Sequence, residues 1–110
     1  MDRTIKINIK NDFSDSPGAR YKQDGPHSGE EFFEKLLRPK FVEAMEKRIK
    51  LEIELDGVWG YPSSFVSGSF GKLSLEFSAD VVLNTIVFVS VESETRKDRI
   101  IVEIKNPTKK

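Results

Sequence analysis

The chain has 110 residues, 18 basic and 18 acidic side chains, one His and no Cys. That length suits one compact domain spanning residues 1–110, burying roughly two thirds of its unfolded surface, and the balanced charge gives no general attraction to nucleic acid or to an anionic membrane. Disulfides, thiolate metal sites and cysteine nucleophiles are excluded by composition, and His27 alone cannot build a multi-histidine metal centre, so neither metal nor cofactor is expected. No apolar run approaches the about 18 residues of a membrane span and the chain opens without a signal-peptide apolar region, which predicts a soluble protein of the cytoplasm.

Ile5, Ile7 and Ile9 alternate with Lys6, Asn8 and Lys10, the period-two pattern of a half-buried strand at a sheet edge. Residues 11–29 then hold three Gly, two Pro, three Asp and three Ser, a composition that breaks regular structure and predicts a long loop. Connections usually run about 4–6 residues, so a loop of this length is a candidate functional segment. Ser28 and Glu31 form a capping box. The helix it opens carries Phe32, Phe33, Leu36, Leu37, Phe41, Val42 and Met45 on one face, with a kink or a join between two helices at Pro39.

Ile49, Leu51, Ile53 and Leu55 alternate up to Asp56-Gly57, a second strand ended by turn chemistry. Ser63 and Ser64 follow, and Val66, Phe70, Leu73 and Phe77 recur at helical spacing. A strand over Leu73, Leu75 and Phe77 is the competing reading. Gly68 and Gly71 weaken the helix by about 1 kcal/mol each, which points to close backbone approach of a sheet or partner. Ser78 to Asn84 reads as one short capped turn, and Ile86 to Val91, rich in β-branched residues, as a third, buried strand. Ile100, Ile101 and Ile104 fit a helix capped at Ser93, while Ile100, Val102 and Ile104 fit a strand; Asn106-Pro107 stops either, leaving residues 106–110 as a flexible tail. Alternating strands and helices imply an α/β fold with helices packed on a sheet.

The blocks Pro17-Gly18-Ala19-Arg20-Tyr21, Asp24-Gly25-Pro26-His27-Ser28-Gly29-Glu30-Glu31-Phe32, Leu36-Leu37-Arg38-Pro39, Leu55-Asp56-Gly57 and Gly60-Tyr61-Pro62-Ser63-Ser64-Phe65 with Phe70-Gly71 resemble the bacterial STAS-like family of unknown function, related to the domains that antagonise anti-sigma factors. The resemblance covers residues 4–92. It implies a small mixed sheet with helices packed on it, and a non-enzymatic signalling role in binding a protein partner of the GHKL-type ATPase class. In the antagonists, the second serine of an Asp-Ser-Ser run at the helix after the central strand is the phosphoacceptor, which by motif is Ser64, with Ser63 beside it. Here Pro62 stands where the acidic residue is usual and Phe65 where a glycine is usual, so partner binding is the broader expectation.

Each candidate residue has a bland alternative. A phosphate on Ser63 or Ser64 would sit at a helix amino end, where the dipole favours it, or Ser63 is only an N-cap. Arg20, Ser28 and Gly29 are candidates for contact with an anion or partner, or are solvated loop and cap. Trp59, Tyr61 and Phe65 would form an aromatic partner patch, or pack over the sheet end. A nucleotide- or anion-sensing domain would use the N–H groups at Ser63 with Arg20. A small hydrolase or transferase would need Ser64 as nucleophile within hydrogen-bond reach of His27 as base, and His27 has no obvious partner for that role.

Overall fold

The computed structural model describes residues 4–108. Lys109 and Lys110, the last residues of the expected tail, lie outside them. Strands β1 (Thr4–Asn8), β2 (Lys50–Glu54) and β3 (Ile86–Val89) form one sheet in the order β1-β2-β3, parallel throughout. A mixed sheet is therefore corrected to a parallel one among the described residues. Each link between neighbouring strands is a helical crossover, which returns the chain in the same direction. No helix among the described residues is long and apolar enough to cross a membrane.

The first strand stops at Asn8, two residues before its alternation does. Asn8 caps a short helix α1 (Ile9–Asp12), its side chain accepting from the Asn11 N–H at 3.1 Å while its own N–H donates to Asp12 at 2.8 Å. Ile9 stays buried, so its apolarity serves the core from a helix rather than from a strand. The loop that follows holds only a 3-10 turn, Lys22–Asp24.

Helix α2 runs over 29–47 and α3 over 63–77, each with a π-helical segment inside, Phe33–Leu37 and Ser67–Gly71 respectively. In α2 the wide segment ends at Leu37, two residues before Pro39, which stands in the first turn of the following α-helical stretch, as its missing N–H favours. In α3 the helical stripe is realised and the strand alternative is not: Leu73 is buried while Leu75 is exposed. The expected turn at Ser78 is a full helix α4 (Ala79–Thr85), and the tail is helix α5 (Glu94–Lys105), capped by Ser93, with Ile100 and Ile104 buried and Val102 exposed. At the end of the described residues, the Thr108 N–H donates to the Glu103 carboxylate at 2.6 Å and its hydroxyl does so at 3.1 Å.

β2 is the central strand, with Leu51, Ile53 and Leu55 wholly buried. β3 is an edge, and Val87 on it is exposed, contrary to the buried strand its β-branched composition suggests. Phe32, Phe41, Phe65 and Phe70 are the largest wholly buried side chains. They fill the space between α2, α3 and the sheet, with Phe32 against Phe65 and Phe70, and Phe70 against Phe88 of β3. Glycine makes the helix crossing possible. A Cβ on Gly29 would stand 2.5 Å from the Phe65 carbonyl oxygen, and one on Gly68 2.8 Å from that of Arg20. The close approach at Gly68 is thus to the long loop, and that at Gly71 is to Glu103 of α5.

Candidate functional site

The segment leaving β2 is bound on all sides. Asp56 accepts from the N–H groups of Val91 and Glu92, each at 2.9 Å, and Glu92 accepts from the Gly57 N–H at 2.8 Å. Arg96 of α5 donates through one terminal nitrogen to the Val58 carbonyl at 2.7 Å and through the other to that of Trp59 at 3.0 Å. The Trp59 N–H donates to the Asp15 carbonyl at 2.8 Å, which ties in the long loop as well. Through this lattice the loop presents Trp59 outward, 82 % exposed, and the facing loop after β3 presents Val91, 87 % exposed.

Tyr61 belongs to the scaffold of this segment more than to its surface. Its hydroxyl donates to the Leu55 carbonyl at 2.8 Å, and its ring lies against Phe65. Burial raises its pKa far above the ordinary tyrosine value, Arg96 opposes that rise, and Asp56 and Glu92 add to it. The hydroxyl therefore remains a donor. Phe65 is wholly buried, so it cannot serve as an exposed partner anchor; it lies in the first turn of α3 on the face that meets Phe32 and Phe13. Of the three expected aromatic anchors, Trp59 alone is freely exposed.

At the start of α3 the cap position belongs to Pro62, with φ −58° and ψ 145° and no side-chain capping bond. The reading of Ser63 as N-cap is corrected accordingly: the proline ring fixes the extended entry and shifts the serines into the first turn. Ser63 is exposed and Ser64 partly so. The Val66 N–H closes the first turn on the Pro62 carbonyl at 3.1 Å, whereas the N–H groups of Ser63, Ser64 and Phe65 meet no protein acceptor among the described residues. Backbone donors in this position, at the positive end of the helix dipole, favour an anion.

The start of α2 is the opposite case. Ser28 is wholly buried, and its hydroxyl oxygen accepts from the Glu31 N–H at 3.0 Å. The Gly29 N–H donates to the Ala19 carbonyl at 2.8 Å and the Glu30 N–H to that of Arg20 at 2.9 Å. The Gly29 N–H is therefore already taken and the buried Ser28 oxygen serves as a cap, so this helix start seats the long loop. The Glu31 carboxylate pairs with Lys35 at 3.1 Å, a bond that holds it below the usual carboxylate range.

Arg20 lines a cavity of about 280 Å³ with Tyr21, Glu30, Gly68 and Lys72. This places it beside the middle of α3 rather than at the serines. His27 is exposed, in the left-handed region at φ 58°, with its ring edge-on to Phe13, and no hydrogen bond joins it to Ser64 among the described residues. The residue that pattern reading misses is Arg96. Its only local signal is a position three after the Ser93 cap, whereas its bonds reach 37 and 38 residues back along the chain.

A parallel α/β domain with paired, uncapped serines at the helix start after its central strand is the class these observations define. A family model described as STAS-like domain of unknown function (DUF4325) matches residues 28–96, and the chain belongs to that family. No curated protein and no solved structure matches the chain.

Proposed function

We propose that this chain is a non-enzymatic STAS-like signalling module of the cytoplasm that binds a protein partner of the GHKL-type ATPase class, and that phosphorylation of Ser64, or of Ser63 beside it, resets the binding. The observation that carries the reading is the start of α3: two serines in the first turn, uncapped, with free N–H groups behind them, next to a loop that holds Trp59 outward. A residue whose backbone is fixed in an exposed loop leaves only its side chain to be ordered on binding, and tryptophan is a common interface anchor. Phosphoryl transfer from the partner's nucleoside triphosphate to a serine hydroxyl, with release of the diphosphate, would add about 1.5 to 2 negative charges beside that anchor. The same helix amino end would stabilise them.

Co-purification of the wild-type chain and a Trp59→Ala variant from the native host, followed by mass spectrometry, tests the reading. The expected result is an ATPase retained by the wild type and depleted about tenfold or more by the variant, as for an interface anchor, with phosphoserine mapped to residue 63 or 64. Recovery of no ATPase together with no phosphoserine overturns it.

A further inference from the structure

Helix α5 presents two arginines, Arg96 and Arg99, to a cavity of about 250 Å³ whose remaining walls are Gly60, Tyr61, Val66 and Ile100. Val66 and Ile100 are buried and make an apolar floor. Arg96 is held in place by the Val58 and Trp59 carbonyls, and its guanidinium carbon lies 5.9 Å from the centre of the Tyr61 ring. The Tyr61 hydroxyl is committed to Leu55, and the charged residues that line the cavity are Arg96 and Arg99 alone.

No carboxylate lines this cavity. The nearby acids Asp56 and Glu92 lie outside it and accept from backbone N–H groups, Asp56 from Val91 and Glu92 and Glu92 from Gly57, rather than from either arginine. Glu103, one turn beyond Arg99 on α5, is engaged with Thr108. Four surface cations are paired, Lys22 with Glu34, Lys35 with Glu31, Arg38 with Glu76 and Lys47 with Glu43; Arg96 and Arg99 are not among them, and what marks these two is that they line one cavity together. The cavity at Arg20 differs in this respect, because Glu30 lines it and offsets the charge.

We infer that the Arg96–Arg99 cavity is a recognition site for the anionic head of a small organic phosphate or carboxylate. A guanidinium presents several N–H donors in a plane that matches the oxygens of either head group. The Val66 and Ile100 floor and the Tyr61 ring receive the apolar body, the usual division of labour in a small-molecule pocket. The inference does not depend on partner binding or on serine phosphorylation, since it rests on the α5 side of the loop.

The test is an amide NMR titration of the full chain at low ionic strength with phenyl phosphate, benzoate and, as the neutral control, phenol. Phenyl phosphate or benzoate should produce saturable shifts at Gly60, Val66 and Ile100, and phenol none; the tighter of the two anions identifies the head group. Arg99→Gln should raise the Kd by about tenfold without moving the melting temperature, because Arg99 is exposed and makes no bond to the Trp59 loop, and Arg99→Lys should recover part of the affinity. The inference is overturned by an unchanged Kd in Arg99→Gln, by shifts that map away from the cavity, or by no saturable shift with either anion up to roughly 10 mM, beyond which affinity is too weak to matter.

Discussion

The two long helices, α2 and α3, open on serines in similar sequence surroundings, and the molecule treats them in opposite ways. At Ser28 the hydroxyl caps the helix and the next two N–H groups are taken by the carbonyls of Ala19 and Arg20. At Ser63 a proline holds the cap position, and the N–H groups of Ser63, Ser64 and Phe65 have no protein acceptor among the described residues, in an otherwise tightly bonded junction. A serine at a helix start is thus a structural part when a loop folds over it and is left without a capping bond when nothing does. The difference lies in what covers the helix end.

Glycine gives the sharpest way to break this comparison. Gly29 follows the covered serine and leaves no room for a Cβ, while Gly60 precedes the open junction and has no atom within 4 Å of the corresponding position. Gly29→Ala should destabilise the fold by about 3 kcal/mol through overpacking, and Gly60→Ala should change it by less than about 0.5 kcal/mol, both read by urea denaturation. Equal stabilities would mean that the α2–α3 crossing is not closed as described.

The serines themselves should differ less, but in the same sense. Ser28→Ala should cost about 1 to 2 kcal/mol, the range for a lost N-cap, whereas Ser63→Ala should fall within about 0.5 kcal/mol of the wild type. A thermal melt of the two variants side by side is sufficient. A large loss in Ser63→Ala would show the second start to be structural like the first.

Tyr61 supplies a smaller loss than Gly29 or Ser28, and a pH dependence. Tyr61→Phe removes the bond to Leu55 and should cost about 1 kcal/mol at neutral pH. In the folded chain the hydroxyl pKa lies above its ordinary value of about 10. A group whose folded pKa is raised contributes its stability fully below the unfolded value and loses it as pH climbs toward the folded one. The wild type should therefore lose stability above about pH 10 more steeply than Tyr61→Phe, as followed by melting temperature against pH.

Strand positions, both long helices and the Ser28 cap are legible in the sequence because each is written locally, in alternation at Ile49 to Leu55, in the stripe Val66, Phe70, Leu73, or in a capping box. The α5 segment is ambiguous because Ile100 and Ile104 satisfy both periods, and the exposure of Val102 decides the matter only once the helix is packed. Phe65 reads as a surface anchor because its face depends on where α2 crosses α3, and no local pattern encodes a crossing. The direction of the strands is set by the crossovers as whole units, which is why a parallel sheet appears where a mixed one is implied. At the site, the serines and Trp59 are visible as types, but their use depends on Pro62 taking the cap and on Arg96, whose partners are distant along the chain.

That distance bears on the order in which the chain can be completed. The Trp59 loop is fastened by groups that lie 35 to 38 residues farther along, at Val91, Glu92 and Arg96. During synthesis from the amino end, the serine junction and the tryptophan emerge well before their fastenings do. Until residues 91–96 have been added, this face lacks those fastenings. The bonds from Arg96 to the Val58 and Trp59 carbonyls therefore tie the order of synthesis to the order in which the face is completed.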